Sequence, residues 1–206
     1  MSTRVALSAI LALCASIPAA AQDAPAPPDW SFSAAAYTYV LPDEANYVQP
    51  TLAADRGWLH LEARYNYEEL ETGSAWIGYR VGGGEGLAWE ITPMLGGVFG
   101  ATSGVAPGYK GTVSWRALAG SSEGEYLFAA ERSDSFFYNW SEVTVSPADW
   151  WRAGVVTQRT HAYASDREVQ RGLLAGFTYR DLDAAVYVFN PDDTHPLVVL
   201  AVTVGF

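Results

Sequence analysis

Residues His195 to Phe206 read HPLVVLAVTVGF, and the chain ends on that phenylalanine. Counting back from Phe206 by twos gives Val204, Val202, Leu200 and Val198, all apolar. The alternate set, Gly205, Thr203, Ala201 and Val199, is mostly small. A period of two belongs to a strand whose two faces meet different surroundings. One face here is greasy and closes on an aromatic ring.

The opposite end of the chain has a different grammar. Arg4 precedes an apolar run from Val5 to Ile17, and Ala19-Ala20-Ala21 stands before Gln22. This predicts a secretory signal over residues 1–21, cleaved after Ala21. The run is too short for a membrane-spanning helix. A lipoprotein reading of Leu11-Ala12-Leu13-Cys14 puts Leu13 where a small residue is wanted. Residues 22–29 form a Pro-rich linker, and residues 30–206 a single domain. Cys14 is the only cysteine and lies within the signal, so the exported domain is held without disulfides. A formal charge of -11 argues against a nucleic-acid partner, which needs clustered Lys and Arg. Eight Trp and twelve Tyr suit the aromatic girdles of a membrane protein.

After the signal no segment keeps a helical period; alternation and turn residues predict about twelve strands. The clearest runs from Trp58 to Glu68. His60, Glu62, Arg64, Asn66 and Glu68 share one face, while Leu59, Leu61, Ala63, Tyr65 and Tyr67 share the other. Reversals are predicted at Arg56-Gly57 and at Gly120-Ser121, where Gly suits a tight hairpin. The longest connection is expected over Gly100 to Gly108. Two strands are ambiguous in phase. Phe136 to Val145 has aromatics on both faces, and Trp151 to Tyr163 is polar on both around Thr157-Gln158-Arg159.

With the signal, the terminal Val202-x-Val204-x-Phe206 resembles the closing strand of outer-membrane β-barrel proteins of Gram-negative bacteria. The resemblance extends over the whole exported chain as a pattern, and it identifies the class and no subfamily. It implies an all-β fold, an up-and-down antiparallel transmembrane β-barrel with short loops on both sides, exported through the Sec pathway to the outer membrane. Outer-membrane lipid and lipopolysaccharide would surround it. Val202, Val204 and Phe206 would be the signal read by the barrel-assembly machinery. An even strand count would place both termini in the periplasm.

Turn lengths then suggest partners across strands. Glu62 is set against Thr51 and Arg80, Gln49 against Arg64, and Tyr65 against Ile77. Arg80 falls beside Ala88, diagonal to Glu90; Glu90 is set against Arg116, Arg116 against Glu125, and Lys110 against Glu131. On the other face the same register sets Trp115 against Tyr126 and Val113 against Phe128. Each Arg facing lipid would cost about 2–4 kcal/mol at the bilayer midplane, so these charges are predicted to point inward. The interior set is therefore Glu62, Arg64, Asn66, Glu68, Arg80, Glu90, Lys110, Arg116, Glu125 and Glu131, with bulky Trp76, Tyr37 and Tyr187. Two outcomes stay open: ion pairs that brace a filled barrel, or a constriction that admits small polar solutes or cations.

Hydrolase chemistry has weak candidates in His161 with Ser165 or Ser141, and in His60 beside Glu62. No spacing supports a metal site and no Gly-rich loop implies a cofactor. The leading expectation is a barrel with a structural or narrow passive-transport, porin-like role. Its rivals are an outer-membrane lipid-modifying hydrolase and a soluble periplasmic β-sandwich or lipocalin-like binding protein.

Overall fold

The computed structural model describes residues 29–42, 44–131, 135–159 and 169–206. The predicted signal, most of the linker, and the candidates His161 and Ser165 lie outside them. Thirteen strands form one sheet: β1 Ser31–Val40, β2 Tyr47–Arg56, β3 Leu59–Tyr65, β4 Thr72–Tyr79, β5 Val81–Gly83, β6 Ala88–Gly100, β7 Gly104–Trp115, β8 Leu118–Ala129, β9 Phe136–Ala148, β10 Trp151–Arg159, β11 Val169–Tyr179, β12 Leu182–Phe189 and β13 Leu197–Gly205. Each strand pairs antiparallel with its sequence neighbours, except that β4 and β5 both pair with β6 and not with each other, and β1 also pairs with β13, so the sheet closes on itself. There is no helix among the described residues.

β4 and β5 lie along the same edge of β6 and make a single stave, so the closed barrel has 12 strands. Their break has a covalent cause. The ladder runs to Gly78 opposite Met94 and resumes at Val81 opposite Ile91, which sets Pro93 against Tyr79. Proline has no N–H to give the ladder. Pro107 does the same in β7, whose ladder with β8 jumps from Val105 to Gly108.

Closure occurs at the strand that decides the fold. Phe206 and Phe32 exchange backbone hydrogen bonds at 2.9 Å, N to O in both directions, and their rings stack at 6.0 Å. Val198, Leu200, Val202, Val204 and Phe206 face outward, while Leu197, Val199 and Ala201 are buried inside. The same alternation runs around the barrel. Leu52, Ile77, Leu95, Val143, Val155 and Leu173 are exposed on the outer wall, and Trp76, Met94, Leu127, Trp140, Val156 and Leu174 are buried within it. The ambiguous strands resolve in this way too. Tyr138 and Trp140 point into the lumen and Phe137 points out, with Arg159 lying 5.7 Å over its ring.

Heights along the strands differ from the sequence expectation, although faces do not. The β7–β8 reversal is at Arg116-Ala117, with Trp115 opposite Leu118, and not at Gly120-Ser121. Arg116 itself adopts a positive φ of 54°. The connection expected over Gly100 to Gly108 is only three residues, because β7 begins at Gly104. A side chain at Gly104 would come within 2.3 Å of the Phe128 carbonyl oxygen, so glycine here serves close strand approach. Thr51 faces Arg64, Glu62 faces Trp76, Tyr65 faces Gly73 and Glu90 faces Thr112. On the outer face Val113 meets Gly120, and Tyr126 meets Phe137. Each slip is an even number of residues, which preserves the face.

Candidate functional site: an ion-paired bar across the lumen

The start of β1 and the end of β13 lie at one end of the barrel, and the luminal charges rise from that end. Arg80 donates to Glu90 at 2.8 Å and approaches Asp55 at 3.3 Å. Arg80 and Glu90 wall a cavity of about 510 Å³ with Gly57, Gly82, Trp89, Thr112 and Ser114. Asp55 also meets His60 Nδ1 at 2.7 Å, and His60 Nε2 meets Glu62 at 3.0 Å. Glu62 bonds Arg64 on its own strand and Lys110 of β7. Arg64 then reaches Glu125 of β8 at 2.8 Å. β3 and β8 are not neighbours in the sheet, so this pair crosses the lumen.

Arg64 is held by more than charge. Its guanidinium lies 4.1 Å from the ring centre of Tyr67 and 4.5 Å from that of Trp76, which adds cation–π attraction on both flat faces. Trp76 is fixed by its indole N–H donating to Ser74 at 2.9 Å and lies against Gly96 and Gly108. Tyr67 donates its hydroxyl to Glu123 and packs edge-on to Tyr138 at 5.1 Å. Lys110 completes the cluster at 3.8 Å from Glu123. Burial, then the charge of Glu123, holds the Tyr67 phenol well above its ordinary value, which keeps it a donor.

Tyr67 had been expected on the lipid face with Tyr65. Asn66 takes a positive φ of 56°, ends the alternation and turns the start of segment 66–71 inward, with Tyr67 half-buried, Glu68 buried and residues 69–71 exposed. The segment is pinned there by Asn66 Nδ2 donating to Val48 O at 3.1 Å and by Glu71 N donating to Asn66 Oδ1 at 2.8 Å. Asn66 therefore organises the loop instead of lining the lumen. Glu68, on the same segment, is 1% exposed.

Other expected positions fall differently. Arg116 is exposed on its turn with its guanidinium over Trp115 at 4.7 Å, so it lines no interior and pairs with neither Glu90 nor Glu125. Glu131 is exposed beyond the end of β8, and the register partner of Lys110 is Glu123. Ser141 lies on the outer wall, hydrogen-bonded with Ser122 at 2.9 Å and Asn139 at 3.0 Å. His60 is engaged by carboxylates on both ring nitrogens.

The opposite wall carries a second arrangement that sequence reasoning missed. Arg152 of β10 donates to Asp183 of β12, at 2.8 Å through Nη2, across Gly176 of β11, where a Cβ would fall 2.7 Å from Cζ of Arg152. Above it Tyr37, Trp140, Tyr187 and Phe189 form an aromatic cluster with centroids 5.0–6.5 Å apart. Asp183 is in phase with Tyr187, and that was the available signal. Asp55 and Glu123 are likewise in phase with Thr51 and Glu125.

The sequence matches no protein-family model and no curated protein. The fold has counterparts among solved structures. A KdgM porin is 9% identical, with 84% of this chain and 99% of that chain aligned at a TM-score of 0.58. A KdgM porin in complex with disordered oligogalacturonate is 9% identical, with 85% and 99% aligned at 0.57. The outer membrane protein Omp33 of Acinetobacter baumannii is 8% identical, with 87% and 99% aligned at 0.47. At such identities the likeness is one of architecture. The likeness to the two KdgM structures agrees with the closed ring: this chain has the fold of a 12-stranded antiparallel β-barrel, the fold of the KdgM porin.

Proposed function

We propose that this protein is an outer-membrane barrel with a narrow, passive, cation-preferring pore. The observation that carries the reading is the transluminal pair Arg64–Glu125, with Lys110–Glu62 beside it. Side chains from non-neighbouring strands meet mid-lumen, which leaves room for small ions and small polar solutes and not for a polymer. The carboxylates Asp55, Glu62, Glu90, Glu123 and Glu125 outnumber Arg64, Arg80 and Lys110 in that network. A wall with excess negative charge raises the local concentration of cations. One KdgM porin structure holds oligogalacturonate, a carboxylate-bearing polymer whose charge suits this lumen poorly.

Planar-bilayer recording tests the reading. Small unitary steps are expected, with a reversal potential under a KCl gradient of the sign set by K⁺. A silent bilayer from well-folded protein, or reversal toward the Cl⁻ potential, overturns it.

The outer-membrane placement is supported by the exposed apolar wall, since a soluble monomer rarely presents so continuous an apolar surface. Val143, 58% exposed on that wall, lies between Val145 and Ser141. Val143→Arg is expected to lower unfolding free energy in lipid vesicles by about 2–4 kcal/mol. An unchanged denaturant midpoint would place Val143 outside the hydrocarbon.

A further inference from the structure

The luminal cluster has one member without a counterpart. Glu68 is 1% exposed, and neither of its carboxylate oxygens has a hydrogen-bond partner; Oε1 of Glu125, itself 3% exposed, is also unpaired. The neighbouring cations are already committed. Arg64 donates Nε to Glu62 and Nη1 to Glu125, and Lys110 serves Glu62 and Glu123. Glu68 follows Tyr67, whose ring lies against the same Arg64 that pairs with Glu125, so both carboxylates belong to one cluster. Every buried side-chain polar atom without a partner among the described residues is an oxygen; the remaining two are Oε1 of Gln158 and of Gln170, opposite one another across β10 and β11. Buried acceptors with no donor are costly unless something fills the gap. What is missing is positive charge.

We propose that Glu68 and Glu125 bind one divalent, oxygen-seeking cation of the calcium class inside the barrel, beneath the inward-turned start of segment 66–71. The charges are unbalanced: Glu62, Glu68, Glu123 and Glu125 face Arg64 and Lys110, with His60 also on Glu62, and a divalent cation offsets the negative excess. Ligand type fixes the class, since carboxylate oxygens without Cys suit hard cations. No set of three or more His, Cys, Asp or Glu converges on a metal position among the described residues, so water completes the shell. Such a site binds weakly and exchanges, with a dissociation constant of about 10⁻⁴–10⁻³ M for Ca²⁺. Occupancy ties the 66–71 segment to β8. This goes beyond the pore reading, because a bound cation requires no current.

Terbium luminescence excited through Trp and Tyr, on folded full-length protein in detergent, tests the site. Wild type is expected to bind one Tb³⁺ saturably, with displacement by Ca²⁺ and not by equal Na⁺. Glu68→Gln is expected to lose that signal, and Glu131→Gln, on the exposed turn, to keep it. If Glu68→Gln does not fold, Glu125→Gln, which can still accept from Arg64, serves the same end and is expected to weaken binding at least tenfold. Absence of saturable Tb³⁺ binding in wild type, or wild-type binding by folded Glu68→Gln or Glu125→Gln, overturns the inference. A protein that binds Tb³⁺ but passes no current would sink the pore reading and leave this one standing.

Discussion

Arg64→Ala is expected to raise single-channel conductance severalfold and to destabilise the barrel by about 3–5 kcal/mol. Both effects come from one side chain. The Arg64 guanidinium bridges Glu62 and Glu125 at mid-lumen and is clasped between Tyr67 and Trp76. Its removal clears the crossing and strands the buried carboxylate of Glu125. Glu62 keeps Lys110 and His60, while Glu125 loses its only ion-pair partner among the described contacts. The exposed pair Arg171–Asp192, 72% and 51% exposed at the side chain, is the control. Arg171→Ala should cost less than about 1 kcal/mol and leave the current unchanged. Bilayer recording and denaturant unfolding of the two variants check this. Equal stability losses in both would mean that the lumen does not bury Arg64 as described.

Gly96→Val is expected to damage the barrel wall severely. A Cβ at residue 96 would fall 2.4–2.6 Å from three ring atoms of Trp76, and Trp76 is 4% exposed with nowhere to retreat except toward Arg64. Overpacking of this kind costs about 1–3 kcal/mol, and here it also breaks the clasp on Arg64. Gly97, the next residue, faces outward with nothing within 4 Å of its Cβ position, so Gly97→Val should be nearly neutral. The readouts are the temperature at which the fast-migrating folded band is lost on gels and the near-UV circular dichroism of the buried tryptophan. Comparable behaviour of the two variants would contradict the placement of Trp76 over β6.

The contrast between adjacent glycines shows what was legible in the sequence. Period two states which way a side chain faces, and it did so for β3, for β13 and for most of the wall. It does not state height. Height depends on the turn residues, and several turns here use no glycine where a positive φ is needed: Arg116 at 54°, Arg180 at 55° and Asn66 at 56°. Glycine-based reasoning chose Gly120-Ser121 over Arg116-Ala117, and the pair Arg116–Glu125 followed that error, while Glu90–Arg116 followed from the connection expected over Gly100 to Gly108. Arg80–Glu90 survived because it is a diagonal contact, Arg80 falling opposite Thr92, on a strand whose face was right. Tyr67 and Glu68 illustrate the other limit. Once Asn66 leaves the extended region, alternation no longer applies: it puts Glu68 inside and Tyr67 outside, and the folded chain turns both inward. Contacts across the lumen, such as Arg64–Glu125, join residues that no hairpin places side by side.

A double-mutant cycle on Arg64→Met and Glu125→Gln, read by unfolding in lipid vesicles, tests most directly whether the two walls are tied across the lumen. A coupling of about 0.5–3 kcal/mol is predicted. Additivity within about 0.3–0.5 kcal/mol would mean that the two residues do not meet, and the account of a barred pore would fall with it.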